Sequence, residues 1–184
     1  AACKIMRGMY PDLPLVGIEP AVKPAAQNHR GEKVAVMATP LTLHEEKFKQ
    51  LVKRYENLAT IIPVPCPDLV EYVEKGILEG PELEGYLKDV LKPCLQEGVK
   101  AVVLGCTHFP LVKAAIGKVV GESVRIYDGG EGTARQAKCL LAAKNLCTDQ
   151  EKGHICFESS APEKEAYYEA LYRKAAHIDS RVKL

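Results

Sequence analysis

A thiol, a hydroxyl and an imidazole stand side by side at Cys106, Thr107 and His108, followed by Phe109 and Pro110. Together they are equipped to move a proton. A cysteine is a base in its thiolate form, an imidazole takes up or returns a proton near neutral pH, and a hydroxyl can hold a substrate oxygen. The competing reading is that Cys106 packs in the core, as most buried cysteines do. The imidazole two residues further on favours chemistry.

The elements around the cluster decide where it sits. Ala101, Val102, Val103 and Leu104 form an apolar run, β-branched at its centre, that predicts a buried strand. Gly105 lets the backbone turn, and Pro110 suits the first turn of a helix running to about residue 120. The cluster then lies at the carboxyl end of a strand, where open α/β sheets bind ligands.

Strand and helix patterns alternate along most of the chain, which predicts a parallel α/β sheet. Residues 33–38, 60–64 and 124–127 read as strands, 15–18 as a short buried strand ended by Pro20, and 154–157 as a last short strand. The opening residues are helical, and 45–55 form a helix with Phe48, Leu51, Val52 and Tyr55 on one face. Thr42 is placed to cap that helix with Glu45 at capping-box spacing. Pro67 opens a helix carrying Leu69, Val70, Val73 and Glu74, and residues 81–96 carry an apolar stripe of Leu83, Leu87, Val90, Leu91 and Cys94. Residues 133–145 form a helix with Ala137, Leu140 and Leu141 buried, and 162–176 a final amphipathic one. Turns are expected at 11–14, at Asp128, Gly129 and Gly130, and at 150–153. Seams near Pro24 and Asp128 divide the chain into 1–24, part of a first α/β lobe; 25–127, a second lobe; and 128–184, a return to the first.

Composition narrows the function. The 184 residues carry 25 basic and 24 acidic side chains, a net charge of +1 that does not suit an electrostatic nucleic-acid binder. No apolar run approaches the ~20 residues that span a bilayer, so neither nucleic acid nor membrane is an expected partner. The seven cysteines (Cys3, Cys66, Cys94, Cys106, Cys139, Cys147 and Cys156) are odd in number and lack a C-x-x-C pair, which fits reduced thiols in the cytoplasm. His29, His44, His154 and His177 are scattered, and no metal site is expected. The chain starts without Met on what reads as the middle of a helix, and it is expected to be a fragment.

Several stretches together resemble glutamate racemase, of the aspartate/glutamate racemase superfamily. They are Leu-Val-Gly-Ile-Glu-Pro-Ala at 15–21, Lys-Pro-Ala at 23–25, Val-Ala-Val-Met-Ala-Thr-Pro at 34–40, Cys66-Pro67 with Val70, Glu71 and Glu74, and Val-Leu-Gly-Cys-Thr-His-Phe-Pro-Leu at 103–111. Asp128-Gly129 and Thr133-Ala134-Arg135 follow in the family's order, so the resemblance covers essentially the whole chain. It implies a two-lobe parallel-sheet architecture with the first lobe incomplete here. It also implies cofactor-independent interconversion of L- and D-glutamate in the cytoplasm, supplying D-glutamate for peptidoglycan. By that resemblance Cys106 is one of two catalytic cysteines, the one taking the α-proton of L-glutamate. His108 assists it and contacts substrate, Glu74 is a further catalytic residue, and Thr107 binds the α-carboxylate. Dimers are common in the family, and a homodimer is one state the resemblance allows.

The chain departs from the family at its start. An Asp-Ser pair, a Tyr-Gly loop and a Cys-Asn-Thr-Ala element with the partner cysteine have no counterpart here; Cys3 lacks the following Asn-Thr and reads as structural. Gly129 also stands where many relatives have Ser. The chain is therefore expected to carry half an active site, to be inactive alone, and to expose apolar surface on its incomplete lobe. A relative acting on aspartate is disfavoured by His108, since aspartate racemases usually carry glutamate there. The truncated start also allows a non-catalytic ligand-binding half-domain. A redox-sensing thiol protein is disfavoured, because no resolving cysteine stands next to Cys106.

Overall fold

The computed structural model describes residues 2–149 and 153–181. The turn expected at 150–153 lies, apart from Gly153, outside the described residues. The chain forms two compact units, one of residues 20–128 with 157–184 and one of residues 1–19 with 129–156.

The larger unit is built on a four-stranded parallel sheet in the order β2-β1-β3-β4, with β1 Lys33–Ala38, β2 Thr60–Pro65, β3 Ala101–Leu104 and β4 Arg125–Tyr127. Successive strands are joined through helices, as parallel pairing requires. Here α3 (Pro40–His44) and α4 (Glu46–Tyr55) link β1 to β2, and α5 (Leu69–Glu74) and α6 (Pro81–Gln96) link β2 to β3. A 3-10 turn at Phe109–Val112 and α7 (Lys113–Val120) link β3 to β4. Pro63 and Pro65 are tolerated because β2 is an edge strand, where a missing N–H costs no ladder bond.

The central strands are apolar on both faces because both faces are covered. Ala35, Met37, Val102 and Leu104 pack with Leu83, Leu87 and Leu91 of α6 and with residues of α5 and α7. Val34, Val36, Ala101 and Val103 face the opposite core with Phe48 of α4 and Val22, Ala25 and Ala26 of α2 (Val22–Asn28). Period-two alternation thus divides each strand between two cores, giving three layers: helix, sheet, helix.

Residues 157–184, assigned from the sequence to the first lobe, pack instead within this larger unit. Helix α9 (Glu165–Arg181) buries Leu171, Ala175 and Ile178, a stripe at helical spacing, in the α5–α6–α7 core.

The smaller unit contains α1 (Ala2–Met9) and α8 (Gly130–Ala143) and, among the described residues, no strand. Two expected strands are therefore corrected. Residues 15–18 and 154–157 are irregular, and Ile18 and Ile155 are exposed, because a strand exists only where another pairs with it. The expected buried stripe of α8 is likewise open: Ala137 and Leu140 are half-exposed and Leu141 is 36% exposed. With no sheet beneath it, the stripe lacks cover. Ile5, Met9, Leu13 and Leu146 are exposed in the same unit. No helix among the described residues is long and apolar enough to cross a membrane.

Two cysteines belong to the core. Cys66 and Cys94 are buried, their Sγ atoms donating to the carbonyls of Val64 (3.5 Å) and Leu91 (3.1 Å). Burial, reinforced by the neighbouring Cys94, pushes the Cys66 thiol from its ordinary 9.0 up to about 12, and burial pushes Cys94 upward too. The folded protein thus holds the Cys66 proton at pH values where the unfolded chain has released it. That contribution to stability is complete below pH 9.0 and is lost as pH rises toward about 12. The urea midpoint should accordingly fall across this alkaline window, and less so in a Cys66→Ala variant. A midpoint that falls equally in both proteins would contradict the assignment.

Candidate active site

The strand order places a topological switch point between β1 and β3: the chain leaves β1 toward β2 on one side and returns to β3 on the other. Met37 is in register with Leu104, so the carboxyl ends of the two strands emerge together. The Gly105 N–H donates to the Met37 carbonyl at 2.7 Å, and a Cβ at Gly105 would lie 2.8 Å from that same oxygen. Only glycine allows this approach, and it is what turns the chain from β3 into Cys106, Thr107 and His108.

Pro110 lies in the 3-10 turn Phe109–Val112, and α7 begins only at Lys113, one turn later than the sequence suggests. The Phe109 N–H donates to the Cys106 carbonyl at 3.3 Å. The tight turn folds the His108 ring back onto Cys106. The Cys106 Sγ lies 3.8 Å from His108 Nδ1, and His108 Nε2 lies 3.0 Å from Glu74 Oε1. Glu74 ends α5, which packs on the Phe109–Val112 turn. The three residues form one line: thiol, imidazole, carboxylate.

The partners define the working tautomer. With Nε2–H donated to the carboxylate, Nδ1 is left to accept the thiol proton, and the imidazolium formed would be held by Glu74. His108 and Glu74 side chains are 32% and 38% exposed and Cys106 is half-buried, so the line is open to solvent at its carboxylate end. Thr107 is exposed at the head of the turn, where its hydroxyl is available to a ligand.

Thr39 and Thr42 follow β1 on the other side of the switch point. The expected Thr42–Glu45 capping box does not form. Thr39 is the N-cap of α3, its hydroxyl accepting from the Thr42 N–H at 3.3 Å, and the two hydroxyls are 3.0 Å apart. The Ala-Thr-Pro step after β1 makes Thr39 the cap, because Pro40 at the first helical position starts the helix there. Lys113 at the start of α7 donates to Asp128 Oδ2 at 3.0 Å, tying α7 to the end of β4.

Helix α9 supplies contacts that the sequence did not announce. Tyr167 Oη donates to the Glu74 carbonyl at 2.6 Å, and Tyr168 Oη reaches Glu74 Oε2 at 3.5 Å. Only the position of two tyrosines near the apolar face of a terminal amphipathic helix could have hinted at a polar partner.

The larger unit is thus a parallel α/β sheet that carries a thiol, an imidazole and a carboxylate in line at its switch point. The model of the Asp/Glu/Hydantoin racemase family matches residues 2–137, and the chain belongs to that family. Glutamate racemase of Clostridium perfringens (strain ATCC 13124) is 43% identical over 165 residues, which are 89% of this chain and 64% of that protein. Glutamate racemase of Clostridium novyi is 45% identical over 156 residues, 84% of this chain and 60% of the relative. Among solved structures, Escherichia coli glutamate racemase in complex with L-glutamate and the activator UDP-MurNAc-ala superposes with a TM-score of 0.72 at 28% identity. That match covers 92% of this chain and 65% of the other. Glutamate racemase of Thermus thermophilus in complex with beta-chloro-D-alanine gives 0.63 at 28% identity, over 91% and 61% of the two chains. The chain therefore spans somewhat less than two thirds of the length of these relatives.

Proposed function

We propose that the protein to which this chain belongs interconverts L- and D-glutamate by moving the α-proton, with Cys106 as one of two thiol bases. The observation that carries the reading is the Cys106–His108–Glu74 line, found in a chain 43–45% identical to glutamate racemases.

Racemisation removes a proton from one face of Cα and returns one to the other, so a base is needed on each side. In this reading His108 Nδ1 takes the Cys106 S–H proton, and the thiolate then takes the α-proton of L-glutamate, regenerating the thiol. The opposing cysteine delivers its own proton to the other face and is left as a thiolate. The imidazolium proton returns through solvent to reset the pair. Glu74 stabilises the imidazolium through Nε2–H. Negative charge that develops at Cα spreads into the α-carboxylate, where the Thr107 hydroxyl donates a hydrogen bond that strengthens in the transition state.

The opposing base does not come from Cys66 or Cys94, whose thiols are buried and held neutral. Cys3 lacks the Asn-Thr that follows the partner cysteine in the family, and we read it as structural. We accordingly propose that the 184 residues alone carry half the site and turn nothing over. In the cell the reaction supplies D-glutamate for peptidoglycan from the cytoplasm, without an electron-sink cofactor.

Polarimetry tests the reading. The full-length protein should erase the optical rotation of L-glutamate while leaving that of L-aspartate unchanged, and the 184-residue chain should do neither. Loss of rotation with aspartate alone would favour an aspartate-specific racemase.

A further inference from the structure

Helix α5 is short, and its last residue carries the carboxylate on which the imidazole leans. Helix ends leave carbonyls without intrahelical partners, and an end left to fray would let Glu74 wander. The structure closes this end from outside. Gly76 adopts φ +72, the left-handed conformation of a helix C-terminal stop, with its N–H bonded to the Val73 carbonyl at 2.9 Å. Helix α9 then supplies the missing donors. Tyr167 Oη donates to the Glu74 carbonyl at 2.6 Å, and Lys174 Nζ donates to the Gly76 carbonyl at 2.7 Å.

The same helix reaches the carboxylate itself. Glu74 Oε1 faces His108 Nε2 at 3.0 Å, while Tyr168 Oη stands 3.5 Å from Oε2. The second contact is at the long end of hydrogen-bond distance, but it lies on the one oxygen that His108 leaves open. A carboxylate held at both oxygens cannot rotate about its last torsion. Tyr168 is positioned by packing rather than by chance, since its ring lies against the core that takes Leu171 and Ala175 of the same helix face. Helix α9 also packs on the Phe109–Val112 turn that follows His108. One helix therefore touches the supports of both ends of the thiol–imidazole–carboxylate line.

We propose that α9 is a clamp for the proton-transfer line and that Tyr168 is a positioning residue, acting on Cys106 through Glu74 and His108. Tyr167 and Lys174 fix the backbone that carries Glu74. This rests on the racemase reading only for what the line does with its proton; the clamp itself can be tested on Cys106 directly. The titratable groups facing the Glu74 carboxylate are His108 from the β3 turn and Tyr168 from α9. Tyr167 and Lys174 lie at backbone carbonyls, and Lys75 is paired with Glu71 at 3.4 Å.

The test is the rate at which iodoacetamide alkylates Cys106, followed by peptide mass mapping across pH, in four proteins: wild type, Tyr168→Phe, Glu74→Gln and the double variant. Phenylalanine keeps the packed ring and removes only the hydroxyl. Loss of one hydrogen bond to the carboxylate should slow Cys106 alkylation near neutral pH by about three- to tenfold and shift the rate–pH profile upward. In the Glu74→Gln background the same substitution should change nothing further, because its route to Cys106 has been cut. Equal slowing in both backgrounds would show a merely structural role, and an unchanged profile in Tyr168→Phe would overturn the clamp. Should Tyr168→Phe lose its native circular dichroism, Tyr167→Phe takes its place with the same expectations. Alkylation decides the clamp even if the full-length wild type fails to racemise glutamate, a result that would remove the racemase reading alone.

Discussion

Replacing Cys106 with alanine in the full-length protein is expected to abolish glutamate racemisation in both directions. In the proposed mechanism each direction uses Cys106 once, as base from L-glutamate and as acid toward it, so no path avoids the residue. General acid–base groups contribute about 10²–10⁴-fold, and Cys106 is expected at the upper end because the proposed mechanism gives that face a single base. Cys106→Ser should be almost as inactive, since the hydroxyl keeps the shape and the hydrogen bond but not the acidity. Substrate should still bind to both variants, because the Thr107 hydroxyl and the turn set by Gly105 are untouched. The measurement is the initial rate of D-glutamate formation with a coupled D-amino-acid assay, alongside calorimetric glutamate binding. Turnover by Cys106→Ala within tenfold of wild type would place the chemistry elsewhere.

The second large effect is expected at Glu74. Glutamine keeps the size of the side chain and can still accept from His108 Nε2–H at the observed 3.0 Å, but it no longer stabilises the imidazolium. The Glu74→Gln variant should therefore lose on the order of 10–100-fold in kcat, below the full worth of an acid–base group because His108 remains in place. KM should change little, since Glu74 is separated from the thiol by the imidazole ring. His108→Asn should lose at least as much, as it removes the acceptor 3.8 Å from the Cys106 Sγ. An effect of Glu74→Gln confined to KM would mean that the carboxylate binds substrate rather than serving the imidazole.

Much of the larger unit could be read in advance. Strands β1 and β3 are continuous apolar runs flanked by Gly, Thr-Pro or charge, and helix α6 opens on Pro81 and repeats Leu at helical spacing. Such elements carry their own boundaries. Residues 15–18 and 154–157 have the composition of strands yet remain irregular, because pairing depends on a neighbour that local sequence does not report. The α8 stripe fails for the same reason: Ala137, Leu140 and Leu141 have helical spacing, and spacing says nothing about what lies opposite.

The site was legible in part. Cys106, Thr107 and His108 are consecutive, so their proximity is a local fact. Glu74 lies 34 residues from His108, and only the resemblance singled it out; by spacing alone it reads as a solvated helix-face glutamate. Tyr167 and Tyr168 are 93 and 94 residues from Glu74, and nothing in their spacing foretells the contact. They are brought there by the apolar stripe of α9, which packs on the larger unit although chain order suggested the smaller.

The most direct test of the central claim is the incorporation of solvent deuterium at Cα of glutamate, followed by proton NMR in deuterated water. With the full-length protein, the Cα proton signal of L-glutamate should disappear as deuterated D-glutamate accumulates, and Cys106→Ala should leave it intact. A Cα proton that persists in the presence of the wild type, or exchange that continues without Cys106, would contradict the account.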